Sequence, residues 1–127
     1  MYKRTIFESF KLAWEGILFI FKTERNMKLH CIFAAIAIIC SFIFKINPIE
    51  FFFVIFSIAL VMITEAANTA FELLLDYVHG DRYHPDIKLL KDIAAGGVFI
   101  AALNAFVIGI IIFVPRFFGL CKFICKV

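Results

Sequence analysis

The sequence predicts an all-α membrane protein, in which an amphipathic N-terminal surface helix precedes three transmembrane helices within one domain, residues 1–127. Of the 127 residues, 64% are hydrophobic and 18 are Phe, whereas a soluble domain is about 45–50% apolar. A chain this short has too little interior to bury so much apolar surface away from water. Three apolar segments, separated by short polar stretches, approach or exceed the length that crosses a bilayer.

The first segment, residues 1–28, is predicted to lie in the membrane interface. Its apolar residues recur at three- and four-residue spacing among six basic residues, which is the pattern of an interfacial amphipathic helix. It ends in the polar cluster 23–30. The basic residues of the chain are neither clustered nor interleaved with polar residues that read bases, so no nucleic-acid partner is expected. The four cysteines lack metal-site spacing and are interpreted as small apolar residues.

The three spanning helices are predicted from the apolar segments that follow. They cover residues 29–44, 51–76 and 93–114. Pro48 is suited to begin the second helix, and the small residues at 94–97 allow close helix approach in the third. The segment 79–91 is expected to be a polar loop, and the tail from Pro115 is short and basic.

The distribution of basic residues predicts a cytoplasmic N-terminus. The N-terminal segment and the 79–92 connection together hold nine Lys or Arg residues, and the opposite side holds four. Basic residues are in excess on the cytoplasmic side of membrane proteins. The polar ends of the predicted helices then face the compartment that contains nucleotides.

The second spanning helix carries a polar stripe that begins inside its hydrophobic segment. At 100° per residue, Glu65, Glu72 and Asp76 lie within about 40° of one another, with Asn68 on their flank. Glu65 follows Phe51 by about 21 Å along the helix, which leaves it about 9 Å short of the far interface. Carboxylates at membrane depth are costly, so they are functional candidates.

Several of these charged side chains are expected to converge at the inner interface. They come from the segment before the first span, the end of the second span and the start of the third: Glu24, Glu72, Asp76, Lys91 and Asp92. Carboxylates can hold Mg²⁺ through oxygen ligands while a lysine meets phosphate. No P-loop motif is present.

The deeper carboxylate, Glu65, is within reach of a lipid head group and can serve as a base. Asn68, one turn away, can orient Glu65 or bind substrate. Three alternatives compete with an enzyme. The polar groups can simply pair across helices, Glu65 can be the proton site of a small transporter, or the chain can be a non-catalytic scaffold. The transporter leaves the Lys91–Asp92 pair unexplained.

Two motifs resemble the signature of the small prokaryotic diacylglycerol kinase and undecaprenol kinase family. They are EAANTAFELLLD at residues 65–76 and KDIAAG at residues 91–96. The cluster at 23–26, TERN, resembles the Gram-positive branch, whose usual substrate is undecaprenol. The resemblance implies a kinase of the bacterial inner membrane that transfers the γ-phosphate of ATP to undecaprenol. The alternative acceptor is diacylglycerol, which would give phosphatidic acid.

The resemblance also implies roles for individual residues and a homotrimer with shared sites. Glu65 would be the catalytic base, and Asn68 would position it. Mg²⁺ and ATP would be held by the remaining polar residues: Glu24 and Glu72 on the metal, and Asp76, Lys91 and Asp92 on the nucleotide. Arg4 is a further candidate nucleotide contact.

Overall fold

The computed structural model describes residues 5–80 and 83–124, with side chains described as far as Leu120. In these ranges the chain forms four helices and no strand: α1 Ile6–Thr23, α2 Arg25–Ile43, α3 Pro48–His79 and α4 Pro85–Ile124. Of these, α2, α3 and α4 are long and apolar enough to cross a membrane. The prediction of an all-helical chain is therefore confirmed for the described residues, and three of the helices could span a membrane, as predicted.

Two helices begin at capping boxes that can be read from the sequence. At the start of α1, the Thr5 hydroxyl accepts from the Glu8 amide at 3.2 Å, and the Glu8 carboxylate accepts from the Thr5 amide at 2.9 Å. Asn47 and Glu50 make the same reciprocal pair at the start of α3, with Pro48 as its first residue. Each box satisfies two backbone donors that the first turn would otherwise leave unpaired.

The first spanning helix begins earlier than predicted, at Arg25 rather than Leu29. Glu24 separates it from α1 and has an extended backbone, with φ −88° and ψ 120°. Met27, in the first turn of α2, is buried, so this turn is part of the packed bundle. The polar cluster 23–30 is consequently not the end of the surface helix. Most of it is the entry to the first span.

The last helix also differs from the prediction at both ends. It begins at Pro85, inside the expected loop, and the imidazole Nδ1 of His84 accepts from the Asp86 amide at 3.2 Å. Proline at the start of a helix loses no hydrogen bond. The helix continues through Pro115, although proline supplies no backbone donor at that position. The Arg116 guanidinium donates to the Ile112 carbonyl at 2.6 Å.

The buried side of α3 forms the centre of the bundle, because α3 contacts both α4 and α2. Its buried residues recur at three- and four-residue spacing: Val54, Ser57, Val61, Glu65, Asn68, Thr69 and Leu75. We call this row the α3 seam. It packs against buried residues of the neighbouring helices, namely Ala34 of α2 and Ala101 and Ile112 of α4. Such spacing is what aligns one face of a helix with its neighbours.

The hydroxyl groups buried in the bundle are satisfied by their own helices. Ser57 donates to the Phe53 carbonyl at 2.8 Å, and Thr69 donates to the Glu65 carbonyl at 3.0 Å. Because a hydroxyl can bond the carbonyl one turn back, these residues place no unpaired donor in the apolar interior. The carboxylate and amide groups of the seam are left as its chemically distinctive members.

Two ion pairs join α3 to α4 near the opposite ends of the helix pair. Lys91 contacts Asp76 at 2.5 Å, and Arg116 contacts Glu50 at 2.7 Å. The pairs are 26 residues apart on α3 and 25 on α4, or about 38 Å of helix on each. That length exceeds the roughly 30 Å hydrocarbon core and fits within the roughly 40–45 Å that includes the head groups. The two pairs thus mark the antiparallel arrangement of α3 and α4, and their spacing suits interfacial depth at both ends.

We predict that Gly80→Ala destabilises the protein. Gly80 ends α3 with φ +69° and ψ −166°, a conformation essentially restricted to glycine that costs other residues about 1–3 kcal/mol. Thermal unfolding in detergent will measure the loss. The matched control is Gly16→Ala within α1, which has open space around it and is expected to be neutral or to stabilise by up to about 1 kcal/mol. Equal effects of the two substitutions would contradict the assignment of strain to Gly80.

Candidate active site

The centre of the candidate site is the carboxylate of Glu65, in the middle of the α3 seam. Glu65 is only 2% exposed to solvent. Oε2 of Glu65 lies 3.9 Å from Nε2 of His30 on α2. The side chains of Glu24, Asn26 and Glu72 are close enough to interact electrostatically with the same carboxylate. A buried carboxylate surrounded by polar groups from three segments is a strong candidate for chemistry.

Asn68 lies one turn from Glu65 and is 8% exposed. Its Nδ2 donates to Oε1 of Glu72 at 2.9 Å, so the amide orients Glu72 along the same helix. Its Oδ1 is buried and has no hydrogen-bond partner among the described residues. A buried acceptor without a donor is costly. It is therefore available to a ligand that brings an O–H or N–H group.

A second polar region lies further along α3, where its end meets the start of α4. Lys91 bridges to Asp76, with side chains that are 33% and 52% exposed. The ion pair borders a cleft of about 500 Å³, whose lining residues are Asp76, Gly80, Tyr83, His84, Ile87, Lys88 and Lys91. Two lysines in one open cleft make it suitable for an anionic ligand such as a phosphate chain.

The remaining predicted nucleotide contact, Asp92, does not share the lysine that pairs with Asp76. Its carboxylate pairs with Lys88 one turn earlier on α4, at 2.8 Å, and both side chains are exposed. Asp92 is therefore connected to the lysine-lined cleft by its ion pair with Lys88, which lines that cleft. Exposed pairs of this kind contribute little to stability, so Asp92 can exchange Lys88 for another partner at small cost.

Two apolar cavities lie between the helices next to His30, the residue that approaches the Glu65 carboxylate. One, of about 350 Å³, extends along α2, α3 and α4 and is lined largely by small and aromatic residues, among them Ala37, Ser57, Val61, Gly109 and Phe113. The other, of about 330 Å³, is lined by Asn26, Leu29, His30, Phe33, Asn68, Ala95, Val98, Phe99 and Ala102. His30, Phe33 and Ala102 line both cavities. Apolar space with a few polar groups at one end suits an amphipathic ligand.

The predicted site residues therefore form two groups. Glu24 and Glu72 each interact with the buried Glu65 carboxylate, and Asp76 and Lys91 form the outer group. Among the residues that the structure describes, no three His, Cys, Asp or Glu side chains are arranged around a common metal position. Arg4 lies outside the described residues.

Sequence reasoning missed His30 and the side chain of Asn26 as neighbours of Glu65. A signal for His30 was present in the sequence. Residues 30, 34, 37 and 41 share one helical face, and Ala34 and Ser41 of that face are buried. An ionisable residue on the inward face of a spanning helix is a functional candidate on the same grounds as Glu65.

Fold and site together define a small helical membrane protein with a buried carboxylate centre and a lysine-lined cleft toward one end of its spanning helices. Residues 11–113 match the family model described as prokaryotic diacylglycerol kinase. The chain therefore belongs to the prokaryotic diacylglycerol kinase family, which is a family of lipid kinases.

Three named relatives support this membership. The undecaprenol kinase of Bacillus subtilis (strain 168) is 36% identical over 110 residues, which cover 87% of this chain and 89% of that protein. The diacylglycerol kinase of Haemophilus influenzae is 32% identical, over 80% of this chain and 88% of the relative. The diacylglycerol kinase of Synechocystis sp. is 34% identical over 88% of this chain, which spans 64% of that relative's length. These names agree on a lipid kinase and differ on the acceptor lipid.

We predict that the Asp76–Lys91 pair contributes little to folding. Both side chains are partly exposed, and exposed pairs couple by about 0.2–1 kcal/mol. A double-mutant cycle with Asp76→Asn and Lys91→Met, measured by unfolding in detergent, should give a coupling energy in that range. A coupling above about 2 kcal/mol would instead make the pair a structural lock and would weaken its candidacy as a ligand contact.

Proposed function

We propose that this chain transfers the γ-phosphate of ATP to the hydroxyl group of a membrane lipid alcohol, with undecaprenol as the acceptor and undecaprenyl phosphate as the product. The observation that carries the proposal is the buried Glu65 carboxylate, whose neighbour His30 lines two apolar cavities that suit a lipid. Membership in a family of lipid kinases supplies the reaction class. The lysine-lined cleft supplies a place for the phosphates of the nucleotide.

The choice of undecaprenol rests on similarity. The segment 23–26 resembles the Gram-positive branch of the family, and the undecaprenol kinase of Bacillus subtilis is 36% identical over nearly its whole length. Diacylglycerol is the second candidate acceptor, because two relatives at 34% and 32% identity carry the name diacylglycerol kinase. Both lipids present one hydroxyl above apolar chains, so the chemistry at Glu65 is the same for either.

In this proposal Glu65 is the catalytic base. The lipid hydroxyl transfers its proton to the Glu65 carboxylate as the hydroxyl oxygen bonds to the γ-phosphorus of ATP. The bond between that phosphorus and the β,γ-bridging oxygen breaks, and ADP leaves. Asn68 supports the site in two ways, since its amide nitrogen holds Glu72 and its unpaired Oδ1 can accept a hydrogen bond from substrate.

The outer residues are proposed to bind the nucleotide. Phosphoryl transfer depends mainly on alignment and charge neutralisation. Lys91 can exchange the carboxylate of Asp76 for a phosphate, because the existing pair is open to solvent. Asp76 and Asp92 are then free to accept hydrogen bonds from donors on the nucleotide. Lys88, already paired with Asp92, adds a second positive charge to the same cleft.

Glu24 and Glu72 are the proposed Mg²⁺ ligands. They come from the α1–α2 junction and from α3, and each interacts electrostatically with the Glu65 carboxylate. Mg²⁺ is usually held by one or two carboxylates together with substrate phosphates and water, so this pair of donors fits the ion. When bound, Mg²⁺ neutralises negative charge on the phosphates. The Asn68 amide nitrogen donates to Oε1 of Glu72 at 2.9 Å, and this hydrogen bond holds the orientation of the Glu72 carboxylate.

The proposed assembly is a homotrimer in the bacterial inner membrane, with the N-terminus in the cytoplasm and α1 in the interface. No residue of α1 is buried, and Phe10 and Trp14 are strongly exposed, as an interfacial helix requires. Each spanning helix leaves most of its apolar surface uncovered by its own chain. Neighbouring copies and lipid would cover that surface and share the sites.

We predict that the purified protein phosphorylates undecaprenol in mixed micelles with Mg²⁺ and γ-labelled ATP. Diacylglycerol is offered in a separate reaction. Glu65→Gln should lower kcat by about 10²-fold or more, as expected for loss of a general base. Glu15→Gln on α1 is the matched control, because it removes an exposed carboxylate far along the chain from the seam.

Each outcome of this assay decides a different point. Label on undecaprenol that disappears in Glu65→Gln supports the full proposal. Label on diacylglycerol alone keeps the mechanism and changes the acceptor. No label on either lipid, or full turnover by Glu65→Gln, refutes the proposed reaction or the assigned base. Because micelles sustain no gradient, turnover there also excludes a purely transport function.

We further predict that Glu72→Gln raises the Mg²⁺ concentration needed for half-maximal activity by about tenfold or more, since it removes one of two anionic oxygen donors. The measurement is initial rate against free Mg²⁺ at fixed ATP, with the exposed Glu15→Gln again as the control. An unchanged Mg²⁺ dependence in Glu72→Gln would remove this residue from the metal site.

A further inference from the structure

We propose that His30 binds the acceptor hydroxyl, holding its oxygen between the His30 imidazole and the Glu65 carboxylate. This inference rests on the proposed lipid kinase function and deepens it, since it adds a residue that the sequence motifs do not include. His30 lies in the second turn of α2, on the helical face that includes the buried residues Ala34 and Ser41. The side chain of His30 is 22% exposed, and it lies beside the side chain of Glu65, which is 2% exposed.

The distance between the two side chains points to a bridging group. Nε2 of His30 and Oε2 of Glu65 are 3.9 Å apart, which exceeds the roughly 2.7–3.2 Å of a direct hydrogen bond. An oxygen atom placed about 2.8 Å from each of them would make a good hydrogen bond to both. A hydroxyl is suited to this position, because it can donate to the carboxylate and accept from the imidazole at once.

The surroundings of His30 indicate which hydroxyl would arrive there. His30 lines both apolar cavities, and Phe33 and Ala102 are the other residues that they share. An apolar chain lying in either cavity can therefore place its polar end at the His30–Glu65 gap. A water-soluble group would lose its hydration between these apolar walls, whereas a lipid tail in the bilayer has no hydration to lose. The acceptor is thus the hydroxyl of a lipid alcohol.

The reaction proposed at the gap between His30 and Glu65 needs no reactant other than the lipid alcohol and ATP. His30, with its proton on Nε2, donates a hydrogen bond to the acceptor oxygen and keeps that proton throughout. The O–H bond of the alcohol breaks and its proton passes to Glu65. The oxygen bonds to the γ-phosphorus of ATP as the bond to the β,γ-bridging oxygen breaks. His30 thereby fixes the direction of the O–H bond toward the base, and positioning of this kind strongly affects rate.

The test compares two substitutions of different chemistry at the same position. His30→Leu removes the donor and keeps an apolar side chain, and His30→Gln retains an N–H donor at a similar distance from the backbone. The control is His79→Leu near the end of α3, about 21 Å of helix beyond Glu65. Initial rates with the full-length protein in mixed micelles give kcat, KM for undecaprenol and diacylglycerol, and KM for ATP. Chromatography and thermal unfolding verify the fold of each variant.

We expect His30→Leu to lower kcat/KM for the lipid by about tenfold to a hundredfold, with KM for ATP within about twofold of the unsubstituted protein. His30→Gln should recover most of that loss, and His79→Leu should behave as the unsubstituted protein does. Normal lipid kinetics in a folded His30→Leu would overturn the inference. Equal losses in the Leu and Gln variants, or a loss expressed mainly in KM for ATP, would overturn it as well.

The same experiment separates this inference from the proposed function. If the unsubstituted protein phosphorylates neither lipid, the lipid kinase proposal fails and the role of His30 fails with it. If the unsubstituted protein is active and His30→Leu is equally active, the kinase proposal stands and only the His30 role is refuted. Activity of the Gln variant also excludes misfolding as the cause of the loss in His30→Leu, because a merely structural defect would not respond to restoring one hydrogen-bond donor.

Discussion

The burial of the Glu65 carboxylate in an apolar helical bundle is the constraint on which the rest of the site depends. A carboxylate at 2% exposure is costly unless neighbouring groups compensate for the lost water. The chain supplies those groups from α2, namely the side chains of Asn26 and His30. These groups lie close to Glu65 only if α2 and α3 pack at the correct relative depth, so the chemistry of the site depends on the packing of the bundle.

The alignment of α3 and α4 places the buried carboxylate next to the lysine-lined cleft. The Glu50–Arg116 and Asp76–Lys91 pairs join the two helices at nearly equal spacings, and that spacing suits interfacial depth, where charged groups are tolerated. Glu65 lies between the two pairs along α3, and the Asp76–Lys91 pair borders the cleft toward one end of the helices.

Much of the site was predictable because it is local to one helix. The periodicity of α3 places Glu65, Asn68 and Glu72 along one side, and the capping boxes at Thr5 and Asn47 mark two helix starts. Other features depended on contacts that no local pattern specifies. The hydrogen bond from Asn68 goes to Glu72 rather than to Glu65. α4 runs past Pro115, where local propensity alone would end or kink the helix.

The sequence by itself determined the helical class, the three spanning segments, the polar stripe and the family motifs, since these follow from composition and from periodicity within single helices. Only the tertiary structure decided which side chains of different helices meet. The 3.9 Å approach of His30 to Glu65, the shared walls of the two cavities and the unpaired Oδ1 of Asn68 are of this kind. They depend on the relative rotation and depth of α2, α3 and α4, and those quantities arise from packing between helices that are distant in the chain.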